Sequence, residues 1–187
     1  MKAKIGINGL GRIGRMVLRS IFEEKHKGLK VNHINNKTDI KTACDLIKRD
    51  SIHGQFRAKI FIEKNKLIIN GNKITYSQEN NLGSISWKKY DVDIVFECTG
   101  KFNSKDKLIS HIKNGAKKVI VSAPCKSADK TIVYGVNHKN ISKKDKIISA
   151  ASCTTNCLAP VVYVLNNNFG IEKGFMTTIH SYTTDQR

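Results

Sequence analysis

Apolar residues fall along this chain in two alternating rhythms. Ala3 to Asn8 is a short run of strand type, and Gly9 to Gly14 is a glycine-rich turn. Ile13, Met16, Val17 and Ile21 then recur at helical spacing, with Gly28 as the C-terminal stop. Leu29 to Ile34 reads as a second strand and Asn35-Asn36-Lys37 as a loop. Thr38 or Asp39 caps a helix whose apolar positions are Ile40, Ala43, Cys44 and Ile47. Strand–helix–strand–helix order predicts a parallel sheet covered on both faces.

The middle of the chain changes rhythm. Ile60 to Ile62, Leu67 to Ile69 and Ile74 to Tyr76 read as short strands, and Asn70-Gly71 is a hairpin signal between two of them. Alternation resumes with a strand at Asp93 to Cys98 and a turn at Thr99-Gly100. Ser104 caps a helix carrying Leu108, Ile109 and Ile112, which stops at Gly115. Val119 to Val121, Ile132 to Val136 and Ile147 to Ser149 read as three more strands. A helical run follows through Leu158, Val161, Val162 and Leu165 to Gly170, and Phe175 to His180 reads as a last strand. Pro160 lies inside that helix, so either the axis bends there or the first turn, around Cys153, stands apart.

The 187 residues suffice for one domain of ordinary size or slightly more, and at 40% hydrophobic they can bury a core without disulfides or metals. No apolar run approaches the roughly 20 residues that span a membrane. Met1 to Gly6 leads straight into a strand without a signal-peptide apolar region, so the expected setting is cytoplasmic. Lys+Arg number 33 against 15 Asp+Glu, a formal charge of +18. The excess is scattered (Lys25, Lys27, Lys64, Lys66, Lys117, Lys143) and not interleaved with aromatics. That pattern speaks against dedicated nucleic-acid binding and leaves a weak attraction for phosphorylated ligands.

Cys44, Cys98, Cys125, Cys153 and Cys157 form an odd set at irregular spacing, which argues for reduced thiols. Cys153 and Cys157 have no second Cys or His pair at ligand spacing, so no metal site is expected. Cys44, Cys98, Cys125 and Cys157 read as core thiols. His26, His33, His111 and His138 carry no partner pattern and read as surface or structural residues. The polar run from Ser181 to Arg187 has no terminating structure, so the chain reads as cut rather than finished.

Two segments carry chemistry. Gly9-Leu10-Gly11-Arg12-Ile13-Gly14 matches G-x-G-x-x-G, follows a strand and opens a helix. That context makes it a dinucleotide fingerprint. Gly9 permits the tight turn, Gly11 lets the backbone approach a pyrophosphate, and Gly14 lets the helix pack close. The helix N-terminus offers unpaired N–H groups to phosphate, and Arg12 adds a positive charge. Where such units usually carry Asp or Glu at the end of the second strand, this chain has Asn35-Asn36. An amide bonds a ribose hydroxyl without repelling a 2′-phosphate, and Lys37 can attract one. NAD and NADP are therefore both admitted.

The second segment is Ala151-Ser152-Cys153-Thr154-Thr155-Asn156-Cys157. Cys153 stands where a loop becomes a helix, a position that stabilises a thiolate. A Cys nucleophile with a distant His, here His180, is one reading. A capped helix with a buried Cys and a histidine at a strand end is the other.

Gly6 to Arg15 resembles the opening of the phosphorylating glyceraldehyde-3-phosphate dehydrogenase family. Asp50-Ser51-Ile52-His53-Gly54, Glu97-Cys98-Thr99-Gly100, Gly115 to Ile120 and Tyr134-Gly135-Val136-Asn137 are similar to further segments of that family. Ala151 to Pro160 resembles its active-cysteine segment, and His180 to Arg187 its catalytic-histidine segment. The resemblance implies an α/β fold: a Rossmann-like, doubly wound, mostly parallel sheet with a small inserted hairpin region. The truncated start of an α+β catalytic domain follows. The implied division is 1–151 for the dinucleotide-binding domain and 152–187 for the incomplete catalytic domain.

The resemblance also implies an activity of glycolysis and gluconeogenesis, the oxidative phosphorylation of glyceraldehyde 3-phosphate through a cysteine thioester. Cys153 would be the nucleophile and His180 the base. Ser152, Thr154 and Thr183 would hold phosphate groups. Arg12 and Ile13 would meet the cofactor pyrophosphate and Asn36 its ribose, while Thr99 and Ser122 would line the cofactor cleft. A homotetramer is implied for the full-length protein. Asn36 departs from the Asp of NAD-specific members, and Asn80 stands near a position that is often basic. Members of the family run far longer, adding a phosphate-binding arginine and a nicotinamide-contacting asparagine. An erythrose-4-phosphate dehydrogenase shares most of these motifs, and a dinucleotide-binding module without catalysis shares the first.

Overall fold

The computed structural model describes residues 2–24 and 26–181. The chain opens with strand β1 (Ala3–Asn8), helix α1 (Arg12–Glu23), β2 (Leu29–Asn35) and α2 (Ile40–Lys48). Two short strands, β3 (Arg49–Asp50) and β4 (Gly54–Gln55), pair with each other across a turn. A meander of β5 (Ile60–Glu63), β6 (Lys66–Ile69) and β7 (Asn72–Ser77) follows. Alternation then returns with β8 (Ile94–Glu97), α3 (Lys105–Lys113), β9 (Lys118–Val121), β10 (Lys130–Thr131), β11 (Ile147–Ser149) and α4 (Cys153–Phe169).

Nine strands form one sheet in the order β10-β11-β9-β8-β1-β2-β7-β6-β5. Every pairing from β10 to β7 is parallel, and the β7-β6-β5 edge is antiparallel. This is the α/β, doubly wound, mostly parallel sheet with an inserted hairpin that the sequence predicts. From β1 the chain moves to β2 on one side, and from β8 to β9 on the other. The order therefore reverses between β1 and β8, where open α/β sheets form a crevice beyond their strand ends.

Local choices follow from the residues. Ile5 and Ile7 of β1 are fully buried in a core shared with Leu18 and Ile21 of α1 and with Ala43 and Ile47 of α2. Gly6 faces the other way, toward Trp87; an ideal Cβ there would stand 2.6 Å from the indole, so only glycine lets the ring lie on the strand. Asp39, one of the two expected caps, starts α2 by accepting from the N–H groups of Lys41 and Thr42, both at 3.0 Å. Asn70 (φ 46°) and Gly71 (φ 80°) make the β6–β7 turn that their types predict.

Several expectations need correction. The first helix stops at Glu23, short of Gly28. Ser104 occupies the N-cap position of α3 but makes no capping bond; the Lys105 N–H donates instead to Ser127 Oγ at 2.8 Å. Ile132 to Val136 is not a strand, because pairing ends at Thr131. There the side chain of Asn137 takes the Val133 N–H at 2.8 Å and donates to the Thr131 carbonyl at 3.0 Å, closing a turn. Phe175 to His180 is also not a strand: Phe175 and Ile179 are fully exposed, and among the described residues no strand lies beside them. The helix around Pro160 runs unbroken from Cys153 to Phe169, so Cys153 belongs to its first turn.

Leu108 on α3 is fully buried in a cluster with Val119, Val121 and Ile147. Leu108→Ala should destabilise the fold by about 3 kcal/mol, the usual range for a leucine truncated in a close-packed core. Urea unfolding checks this; a change below about 1 kcal/mol would mean that this cluster does not support the β8–β9 half of the sheet.

Candidate active site

The crevice at the β1/β8 switch is lined by Gly9, Gly11, Asn36, Lys37, Asn80 and Thr99, with Asn8, Asn35, Leu82 and Phe102 among the other walls. Gly9 takes φ +93°, a region that side chains rarely enter. An ideal Cβ on Gly9 would lie 2.8 Å from the Thr99 methyl, and one on Gly14 would lie 2.0 Å from the Gly9 carbonyl oxygen. Gly14 thus lets the turn close on itself. A Cβ on Gly11 would meet no atom within 4 Å, which leaves open space above the start of α1.

That space fits an anionic ligand. Gly11 is the N-cap of α1 and Arg12 and Ile13, both exposed, begin the helix, whose first N–H groups have no intrahelical acceptor. The first turn holds no acidic residue to compete. Asn36 Oδ1 accepts from the Leu10 N–H at 3.0 Å and its Nδ2 donates to the Tyr76 hydroxyl at 3.3 Å, which braces the end of β2 against the glycine turn. The amide is neutral, and the exposed Lys37 stands next to it. Pyrophosphate at the helix start and ribose beside Asn36 is the arrangement these residues can accept. Ser122 follows β9, one strand beyond the crevice, and its N–H donates to the Glu97 carbonyl at 3.0 Å.

The second centre begins at Ala151 (φ 62°), where the chain turns from β11 into α4. Ser152 caps the helix: its hydroxyl oxygen accepts from the Thr155 N–H at 3.0 Å. Asn156 Nδ2 donates to the carbonyls of Ala150 and Ser152, both at 2.8 Å, which fastens the first turn to the approach loop. Cys153 heads this turn, exposed, with its Sγ 3.1 Å from His180 Nε2. His180 Nδ1 donates to the Ser181 carbonyl at 2.6 Å; a carbonyl only accepts, so Nε2 is left free to take a proton from the thiol. Bonding to His180, followed by donation from Thr154, holds the thiol pKa below its ordinary value. The Ser181 carbonyl and then the thiolate raise that of His180. The two shifts favour the same state, thiolate beside imidazolium.

Cys153, Thr154, Cys157, Met176, Thr178 and His180 surround one hollow. Thr183 lies outside the described residues. Cys157 is exposed, contrary to its reading as a core thiol, because among the described residues no element packs over α4. Cys44, Cys98 and Cys125 are buried, and burial pushes the Cys98 thiol up to about 12. Sequence reasoning missed Glu79, Lys101 and Phe102 of the crevice wall, which carry no motif, and gave Glu97 and His111 no partners, although Glu97 opens the Glu97-Cys98-Thr99-Gly100 segment. Among the described residues, no cluster of three His, Cys, Asp or Glu could hold a metal, and no helix is long and apolar enough to cross a membrane.

Comparison with known proteins identifies the family. Residues 3–105 match the family model described as glyceraldehyde 3-phosphate dehydrogenase, NAD binding domain, and residues 152–187 match the C-terminal domain of the same family. The chain is 48% identical to glyceraldehyde-3-phosphate dehydrogenase of Zymomonas mobilis, over all of this chain and 56% of the relative. It is 50% identical to glyceraldehyde-3-phosphate dehydrogenase 2 of Bacillus subtilis, over all of this chain and 55% of the relative. The enzyme of Thermotoga maritima is 46% identical over 99% of this chain and 56% of its own length. The chain spans about half the length of these relatives. A dinucleotide fingerprint at the switch point, a helix-start cysteine bonded to a histidine and the matches to both family models together establish that this chain belongs to the glyceraldehyde 3-phosphate dehydrogenase family.

Proposed function

We propose that this chain supplies the dinucleotide site and the nucleophile of a phosphorylating glyceraldehyde-3-phosphate dehydrogenase. The observation that carries the reading is the 3.1 Å contact between Cys153 Sγ and His180 Nε2 at the start of α4. His180 takes the thiol proton, the thiolate adds to the aldehyde carbon of the substrate, and the His180 imidazolium returns its proton to the resulting alkoxide, giving a hemithioacetal and a neutral imidazole. His180 then accepts the hydroxyl proton of that adduct as the carbonyl re-forms. A nicotinamide dinucleotide, when bound, supplies the hydride acceptor. The acyl group remains on Cys153 as a thioester until inorganic phosphate displaces it, giving 1,3-bisphosphoglycerate and the free thiol.

Placement supports this. β11, which leads to Cys153, lies two strands from β8 and three from β1, about 10 and 14 Å at ordinary strand spacing. An extended dinucleotide bound at the glycine turn covers such a distance. Arg12 and Ile13 take the pyrophosphate, Asn36 the ribose, and Thr99 and Ser122 flank the path toward Cys153. Ser152, Thr154 and Thr183 are the proposed phosphate contacts. In this reading residues 1–151 form the dinucleotide-binding domain, 152–187 begin the catalytic domain, and the full-length protein is a homotetramer. Cytoplasmic glucose metabolism is its setting. The family model matched by residues 3–105 favours NAD. Neutral Asn36 beside Lys37 extends the reading to NADP.

Limiting iodoacetamide should alkylate Cys153 before the other four thiols. Labelling should persist well below the ordinary thiol pKa of 9.0, because the folded site favours the thiolate. His180→Ala should move the labelling profile up toward that value; an unmoved profile would remove His180 from the thiol's activation. Cys153→Ser should lower dehydrogenase turnover by roughly a thousandfold or more in the full-length enzyme while leaving cofactor affinity intact. Turnover near the parent value would refute the nucleophile. Titration of both cofactors should place NADP within about tenfold of NAD, equivalent to about 1.4 kcal/mol. A hundredfold preference for NAD would show that Asn36 does not set the selectivity.

A further inference from the structure

Below the crevice runs a set of buried polar groups that the proposed chemistry leaves unused. Trp87, the only tryptophan, donates its indole N–H to His111 Nδ1 at 2.9 Å. An indole nitrogen donates and does not accept, so Nδ1 is the acceptor and the imidazole proton sits on Nε2. Nε2 faces Glu97 Oε2 at 3.0 Å. The same carboxylate oxygen accepts from Asn8 Nδ2 at 2.6 Å. The other oxygen accepts from the Thr99 N–H at 2.8 Å and from the Thr99 hydroxyl. His111 is fully buried and Glu97 is 1% exposed. A carboxylate is tolerated at such depth when its lone pairs are met, and four donors meet these.

Two of those four donors belong to Thr99, and a third to Asn8; both residues line the crevice. The Glu97 carbonyl also accepts from the Ser122 N–H, so one residue ties together the ends of β1, β8 and β9. Thr99 presses on the glycine turn at the spot where a Gly9 side chain would stand. The setting of Thr99 therefore fixes the room above that turn. His111 orients the carboxylate from behind and touches no crevice surface itself.

We propose that His111 and Glu97 are positioning residues for the dinucleotide. The imidazole Nε2–H holds the Glu97 carboxylate so that Thr99 and Asn8 are preset for binding. This inference rests on the dinucleotide reading above.

Two substitutions separate positioning from core filling. In His111→Gln the side-chain amide reaches the Nε2 position and still donates to Glu97, while Trp87 loses its acceptor. In His111→Asn an oxygen near the Nδ1 position still accepts from Trp87, while Glu97 loses its donor. Both remove the ring and lower the thermal midpoint. Calorimetric titration with NAD should give His111→Gln an affinity within about twofold of the parent and His111→Asn one weaker by about tenfold, as loss of a charge-assisted bond implies. Equal affinities in the two variants would overturn the proposal. A parent protein that fails to bind NAD would instead overturn the dinucleotide reading, and the proposal with it. Should His111→Asn not fold, hydrogen exchange in the parent decides. The Thr99 amide should exchange as slowly as the amides of β8, and exchange at the rate of a free turn would overturn the proposal.

Discussion

Parallel pairing constrains this molecule more than any single contact. Strands that run the same way must all be left at the same edge of the sheet, so each connection begins there. The glycine turn after β1, the Thr99 turn after β8, Ser122 after β9 and Cys153 after β11 therefore share one rim. Residues separated by more than 140 positions in sequence come within a few strand spacings of each other. No side chain has to seek its neighbour across the fold; the hydrogen-bond ladder brings the turns together.

What happens at that rim depends on two helix starts used differently. At α1 the first turn is bare of acidic side chains and opens onto empty space above Gly11, a place for an external anion. At α4 the group at the helix start is internal: Cys153 Sγ sits at the first residue of the helix, 3.1 Å from His180 Nε2, and that contact favours the thiolate. In the proposed function the same partial positive charge would serve phosphate binding in one place and thiol activation in the other. Below the first of these runs a polar floor of Asn35, Asn8, Glu97 and His111, joined by hydrogen bonds of 2.6 to 3.0 Å. Such a floor is costly unless every group is satisfied, and its satisfaction makes the rim stiff.

Much of the fold was legible in the residues. Strand and helix periods located β1, α1, β2, α2, the three meander strands, β8, α3, β9 and α4 within a few residues. Asp39 and Asn70-Gly71 worked as their types dictate, because caps and tight turns are decided by a few adjacent atoms. The misread strands have a common cause. Ile132 to Val136 and Phe175 to His180 carry strand-like residues, yet a strand exists only where a partner takes its hydrogen bonds. At the first, Ile132 makes a last bond to Ser149 and Asn137 then takes the Val133 N–H; beside the second, no strand lies among the described residues. Cys157 was misjudged on the same ground, since burial depends on what packs over a residue.

The sequence by itself determined the chemistry available: a glycine pattern able to admit pyrophosphate, a neutral amide in place of an acid at residue 36, and a cysteine at a helix start. These are local properties, readable over a few neighbouring positions. Only the tertiary structure decided which groups meet. It set His180 against Cys153, exposed the thiol, and ran the Trp87–His111–Glu97 relay beneath Thr99. Nothing along the chain marks Glu97 and His111 as partners, because their meeting comes from the packing of α3 on β9 and β11, which brings His111 to the neighbouring β8, and not from any spacing in the sequence.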